Sequence, residues 1–278
     1  MIVNKPYTLI DGIKCYDPEI AQNCKNYPSA GFDVVDKQEQ NIFWCRSRSR
    51  LLKRVIAKYL KPNGSFLEIG CGTGFFIREL AKNSSYKITG SDVHLSGLKY
   101  AQEKSPETEF VQLDATSNYI SEKFDVIGAF DVIEHIKDDE AVLLNAYHSL
   151  VKGGTLILTV PQYQFLWSKL DELVKHQRRY SKTELFAKLH QQGFDVVFQS
   201  SFVFVLFPLM LVSRLLDKKH VPDQEFSSDE FKKRVKFPKL LNWVMDKLMY
   251  IDEFFIRLGV SLPYGGSLLV VARKRCEQ

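Results

Sequence analysis

The chain has 278 residues, 45% hydrophobic and 26% charged, proportions that exclude a disordered, a collagen-like and a polytopic membrane chain. Its formal charge of +5 is uneven: residues 202–278 hold 13 basic and 9 acidic side chains, and the first 201 are close to neutral. That is a weaker basic stripe than a nucleic-acid binder shows, so no nucleic-acid partner is expected.

Residues 1–37 mix Gly, Pro, Asp and Asn without periodicity and read as a loose arm. A helix is predicted at about 38–61, where Leu51, Leu52, Val55, Ile56, Tyr59 and Leu60 share one face and Arg and Lys fill the other. Strands and helices then alternate: strand 65–70, helix 74–82, strand 86–91, helix 95–104, strand 110–113, strand 124–130. A helix capped by Asp138 runs to Val151 and stops at Gly153-Gly154, followed by strand 155–160. Ser181-Lys182-Thr183-Glu184 reads as a capping box for a helix ending at Gly193. Phe194 to Phe204 begins as a strand and runs into an apolar stretch, and Ser267 to Arg273 is the last strand. Such alternation predicts an open, mostly parallel sheet with helices on both faces.

The five cysteines, Cys15, Cys24, Cys45, Cys71 and Cys276, form no C-x-x-C pair and no zinc-site spacing. Scattered and odd in number, they suit a reducing cytosol, and no signal-peptide pattern opens the chain, so a cytoplasmic protein is expected. The longest apolar run, Phe202 to Val212, is interrupted by Pro208 and is too short to span a bilayer.

The strongest local signal is Phe66-Leu67-Glu68-Ile69-Gly70-Cys71-Gly72-Thr73-Gly74, a strand ending in three alternate glycines before a helix. Glycines allow positive φ and let a ligand approach the main chain. The spacing G-x-G-x-G differs from the dinucleotide fingerprint G-x-G-x-x-G, which argues against the alternative of an NAD(P)-dependent oxidoreductase on a related fold. Asp92 closes the next strand, where a carboxylate suits the two hydroxyls of a ribose, and Asp114 closes the one after, where an acceptor suits an adenine amine. Each Asp taken alone reads equally well as a helix cap.

With these residues, and with Phe124-Asp125-Val126-Ile127, Asp131-Val132-Ile133-Glu134-His135 and Leu150-Val151-Lys152-Gly153-Gly154, the sequence resembles the class I S-adenosylmethionine-dependent methyltransferases over roughly residues 40–201 and 264–275. The resemblance implies a Rossmann-like seven-stranded sheet whose last strand inserts antiparallel. It implies S-adenosyl-L-methionine as cofactor, held by Glu68, Gly70, Gly72, Gly74, Asp92, Val93, Asp114, Ala115 and Phe130, with the glycines along its methionine part. His94 stands where many members carry Ser. The expected organisation is an N-terminal arm and helix (1–61), a cofactor-binding core (62–201), a helical insertion (202–263), and the last strand with a tail (264–278).

Methyl transfer to a hydroxyl needs a base. His135, after the fourth core strand, and His176 are the candidate catalytic residues, with a loop or structural role as the plain alternative for His135. Trp167, Arg178, Arg179 and Tyr180 lie in a segment expected to overhang the same mouth, and two adjacent arginines suit a carboxylate or phosphate on the acceptor. The same segment resembles family members with lipid-linked or saccharide acceptors, so the expected activity is methyl transfer to a small-molecule or lipid- or saccharide-linked acceptor, at oxygen. A cofactor-binding protein without catalysis is the other class in view. Asp131, Glu134, His135 and His176 are also hard or borderline ligands, in a pattern similar to that of metal-assisted 2′-O-methyltransferases; no metal is assigned. In the insertion, Leu241, Val244, Met245, Leu248, Ile251, Phe255 and Leu258 recur every three or four residues. The plain reading is a lid packing that face on the core. The sharper one is peripheral membrane contact through 202–260, helped by Lys218, Lys219, Lys232 and Lys233.

Overall fold

A computed structural model describes residues 6–23, 32, 39–82, 84–117, 123–217 and 237–276. Lys218, Lys219, Lys232 and Lys233 lie outside them. The described strands are β1 (Thr8–Ile10), β2 (Ile13–Cys15), β3 (Ser65–Ile69), β4 (Lys87–Asp92), β5 (Glu109–Gln112), β6 (Phe124–Phe130), β7 (Leu150–Pro161), β8 (Phe194–Phe202) and β9 (Ser267–Lys274). They form one sheet in the order β1-β2-β5-β4-β3-β6-β7-β9-β8. β3, β4, β5, β6 and β7 run parallel, and β9 inserts antiparallel between β7 and β8. Strand order reverses between β3 and β6, which opens a crevice at the strands' carboxyl ends.

The helices are α1 (Pro18–Asn23), α2 (Phe43–Tyr59), α3 (Phe75–Ala81), α4 (Leu95–Lys104), α5 (Asp139–Ser149), α6 (Lys169–Leu173), α7 (Lys182–Gln191), α8 (Phe207–Asp217) and α9 (Lys239–Arg257). Side chains alternate across each strand, so the sheet feeds two apolar layers. Leu268, Val270 and Ala272 of β9 join Leu143 and Ala146 of α5 and Leu185 and Leu189 of α7. Leu269 and Val271 of the same strand join Leu52 and Ile56 of α2 and Met249 and Ile256 of α9. Burial on both faces explains why these strands read as continuous apolar runs. Asp138 caps α5 by accepting from the Ala141 N–H at 3.1 Å, and Ser181 caps α7 by accepting from Glu184 N–H at 3.2 Å. The α5 helix stops at Ser149 and Leu150 already belongs to β7, two residues earlier than expected.

Two expectations change. Residues 8–15 of the arm are not loose: β1 and β2 form an antiparallel hairpin turning at Asp11 and Gly12, both at positive φ. β2 then pairs parallel with β5, so the sheet gains two strands beyond the seven expected. Three-residue strands are too short to show alternation in sequence; the edge of β5 supplies partners for β2, and β2 for β1.

The second change concerns the insertion, whose plain reading packs the apolar stripe on the core; its helix α9 meets the basic face of α2 instead. Arg50 and Arg54 each reach the buried Glu253 of α9 at 2.7 Å, and Arg50 also pairs with Asp246 at 3.0 Å. The two helices run side by side in the same direction, from Phe43 beside Asn242 to Lys58 beside Arg257. Asp252 of α9 accepts from the N–H groups of Phe204 and Val205 at 2.6 and 3.1 Å. The insertion therefore docks through buried carboxylates, with Met245, Met249 and Ile256 between them. The expected apolar stripe instead leaves Leu241, Val244, Ile251, Phe255 and Leu258 exposed.

Candidate active site

A cavity of about 410 Å³ opens at the carboxyl ends of β3, β4, β5 and β6. Gly70 and Gly72 line its floor, at φ +71° and +53°. A Cβ on Gly70 would lie 2.5 Å from a methyl of Val132, so any side chain there closes the turn. At Gly72 the nearest atom to such a Cβ is 3.5 Å away, on the Phe32 ring, so the main chain itself lies open to the cavity. Gly74, at φ +71°, serves helix packing instead. It begins α3 against Ala101 of α4, where a Cβ would approach to 2.8 Å, and it is not part of the lining.

Asp92 lines the cavity and stitches two loops together. One carboxylate oxygen accepts from Gly72 N–H at 2.9 Å; the other accepts from His94 N–H at 2.8 Å and lies 3.1 Å from His94 Nδ1. A carboxylate offers about four acceptor positions, so Asp92 retains capacity for ligand hydroxyls. Asp114 accepts from the N–H and hydroxyl of Thr116 at 2.9 and 2.8 Å, and its own N–H donates to Asp17 at 2.9 Å. Val93 and Ala115 line the cavity beside these carboxylates, whereas Phe130 is buried in the core below it. Ile20 and Phe32 of the N-terminal region complete the wall. No periodicity marks those two residues in sequence, because their role depends on the arm folding back along β5.

Glu68 is buried behind the glycine turn, and one of its oxygens has no hydrogen-bond partner among the described residues. Burial pushes its carboxyl up to about 8, despite the nearby Arg48 guanidinium. Glu68 is not part of the cavity lining, so it supports the glycine turn from behind and does not meet a ligand in the cavity. Because the folded pKa lies above the ordinary 4.5, this group's stabilisation is full below about pH 4.5 and is lost as pH rises through about 8. Glu68→Gln is therefore expected to melt higher than the parent at about pH 9, with the difference shrinking toward about pH 5. A pH-independent difference between the two melting temperatures would refute the burial of an ionisable group there.

A second cluster sits where β6 ends. Asp131 takes φ +57°, which turns the chain into the short helical turn Ile133–His135. Arg48 of α2 and the Thr159 hydroxyl hold its carboxylate. Glu134 is fully buried, and neither carboxylate oxygen has a hydrogen-bond partner among the described residues. Burial, reinforced by the Asp131 charge, pushes its pKa well up. His135 lines the cavity, and burial together with the nearby His176 pulls its pKa down to about 3. His176 meets it edge to face, ring centroids 4.6 Å apart, with Nε2 3.9 Å from Glu134. Ligand atoms of Glu134, His135 and His176 all lie within 4.8 Å of one another, a group able to hold a metal ion.

The Trp167–Tyr180 segment has other partners than the cavity. Asp171 takes His176 Nδ1 at 2.8 Å and a double contact from Arg179 at 2.8 and 3.1 Å. Burial would raise the Asp171 pKa, but the hydrogen bonds from His176 and Arg179 hold it well below the usual carboxylate range. Arg178 reaches Asp139 at 2.9 Å and the Lys137 carbonyl at 2.8 Å. The fully buried Tyr180 donates to Asp139 at 2.6 Å, and the Trp167 indole donates to Glu172. None of Trp167, Arg178, Arg179 and Tyr180 lines the cavity. The expectation that they face an acceptor is replaced by an internal scaffold in which Arg179 and Asp171 set the His176 ring. Sequence shows the charges in this segment, but not that Asp171 takes both His176 and Arg179 or that Arg178 reaches Asp139 of α5.

The Methyltransferase domain family model matches residues 37–199, more than half of the chain. Phosphoethanolamine N-methyltransferase 2 of Caenorhabditis elegans is 25% identical over 205 residues, covering 69% of this chain and 46% of that protein. Ubiquinone biosynthesis O-methyltransferase of Pseudomonas putida is 29% identical over 99 residues, covering 34% of this chain and 42% of that protein. The chain thus spans less than half the length of these curated relatives. Among solved structures, phosphoethanolamine N-methyltransferase 2 of Haemonchus contortus with S-adenosyl-L-methionine superposes with a TM-score of 0.60. It covers 92% of this chain and 60% of that one at 17% identity, a likeness of fold.

Proposed function

The chain belongs to the S-adenosylmethionine-dependent methyltransferase family, and from that premise we propose that it transfers a methyl group to a hydroxyl of a small-molecule or lipid- or saccharide-linked acceptor. The observation that carries the choice of oxygen is the grouping of His135, at the cavity wall, with Glu134 and His176. A hydroxyl must lose its proton to become a nucleophile, and the His135 ring at the cavity wall is placed to take it. When bound, S-adenosylmethionine supplies the activated methyl group. Gly70, Gly72, Asp92, Val93, Asp114 and Ala115 would hold it, with Glu68 behind them. These residues orient the ligand and exclude water, which supplies up to roughly 7–11 kcal/mol of barrier lowering when alignment is ideal.

A second reading rests on Glu134, His135 and His176 as ligands of a divalent cation, with His176 oriented through Nδ1 by Asp171. Outer carboxylates commonly orient ligating imidazoles in this way. Such an ion would make an acceptor hydroxyl more acidic.

The test is turnover of methyl-labelled S-adenosylmethionine with matched hydroxyl, amine and carbon acceptors, before and after chelation. Methyl ethers as the only products are expected. N- or C-methyl products would sink the oxygen assignment, and unchanged turnover after chelation would remove the metal reading. Absence of turnover on any acceptor, with cofactor bound, would favour a binding protein.

A further inference from the structure

Helix α9 is inside out. A helix on a water-facing surface hides its apolar stripe and exposes its charges. Here the acids Asp246, Asp252 and Glu253 are all buried, held by Arg50, Arg54 and the backbone of residues 204–205. The outer face instead shows Trp243, Val244, Tyr250, Ile251, Phe254 and Phe255, with Leu240 74% exposed at one end and Leu258 63% exposed just past the other. Leu209 and Val212 of α8 are exposed as well. Every exposed residue of α9 is apolar, aromatic or basic, its charges being Lys239, Lys247 and Arg257. The Lys247 ammonium lies over the rings of Trp243 and Tyr250, at 5.8 and 5.3 Å from their centroids.

We propose that this face of α9 docks on an anionic lipid bilayer. The occupant follows from the residues. Trp and Tyr with a long Lys stem between them suit the interface between headgroups and acyl chains. A purely basic set of charges around apolar area suits negative headgroups. A second copy of the chain would bring Lys239, Lys247 and Arg257 against their own kind, because every acid of the helix faces inward. The neighbouring 218–236 stretch of sequence is itself net basic. No described helix is long and apolar enough to cross a membrane, so the helix, about 28 Å long by its 1.5 Å rise per residue, lies in the interface plane. Arg214 of α8 donates to Ser168 at 2.6 Å, which links the insertion to the segment holding His176. Binding of this face to lipid stands whether or not the acceptor is itself a lipid.

The experiment is co-sedimentation of the full chain with vesicles of phosphatidylcholine alone and of phosphatidylcholine with phosphatidylglycerol. Pelleting is expected only with the anionic vesicles. The triple variant Lys239→Glu, Lys247→Glu, Arg257→Glu is expected to lose partitioning on the order of a hundredfold. The pair Trp243→Ser, Phe254→Ser should also lose it, with melting temperatures unchanged because these side chains are exposed. Indole emission should shift to the blue on anionic vesicles, and Trp243→Phe should abolish the shift. No pelleting, equal pelleting on neutral vesicles, or pelleting untouched by both sets would overturn the proposal. So would a dimer in light scattering that the serine pair dissociates while vesicles remain unbound, since a second copy would then own the face.

Discussion

Asp92→Ala is expected to weaken S-adenosylmethionine binding by about two orders of magnitude, about 2.7 kcal/mol. The carboxylate acts twice in one place. It accepts from Gly72 N–H, which holds the floor of the cavity in a positive-φ turn, and its remaining lone pairs face the space where ribose hydroxyls are proposed. A hydrogen bond to a charged acceptor contributes roughly 1.5–3 kcal/mol, so losing the ligand bonds alone accounts for such a drop. Relaxation of the Gly72 turn adds to it. Asp92→Asn keeps one acceptor oxygen and the shape of the side chain, and is expected to fall between parent and alanine variant. Calorimetry with S-adenosylhomocysteine measures both, and parental affinity in the alanine variant would remove the ribose from this position.

His135→Ala is expected to lower kcat by about 10²-fold, the low end for a positioned proton acceptor, because a ring pulled down to about 3 is a weak base. Cofactor affinity should stay within about twofold, since His135 lies on the β6 side of the cavity and the glycine turn is untouched. The pH profile carries a second test. With its pKa lowered to about 3, His135 is protonated only in strong acid, so it contributes no inflection near the ordinary imidazole value of 6.5. A kcat profile falling through about 6.5, and losing that limb in His135→Ala, would show that the imidazole is not desolvated as placed. Asp171→Asn should give a smaller loss, because the amide still reaches His176 but no longer carries the charge that pairs with Arg179.

Much of the architecture was legible in the chain. Strands such as Phe124–Phe130 are apolar apart from the exposed Asp125 because both faces are covered, and the turn Gly70-Cys71-Gly72-Thr73-Gly74 has positive φ at each glycine. Those signals are local and survive without any knowledge of neighbours. β1 and β2 were not legible, since a three-residue strand exists only through the edge it pairs with. Nor was the division among the glycines, where Gly74 serves helix packing and Gly70 and Gly72 the cavity. Arg178, Arg179 and Tyr180 had the chemistry of an acceptor site. Their ion pairs and hydrogen bonds to Asp139 and Asp171 make them supports instead.

By itself, then, the sequence determined the order of core strands and helices, the glycine cradle, and the carboxylates at the ends of β4 and β5. These depend on backbone preference and on the alternation of polar and apolar residues over a few positions. Only the tertiary structure decided that His135 and His176, 41 residues apart in sequence, meet over Glu134, and that α9 turns its acids inward and its aromatics outward. A period of 3.6 residues marks a stripe on a helix without saying which stripe is inside. The inner stripe is the one that meets the arginines of α2, about two hundred residues away in sequence, which pair with Asp246 and Glu253 beside the buried Met245, Met249 and Ile256.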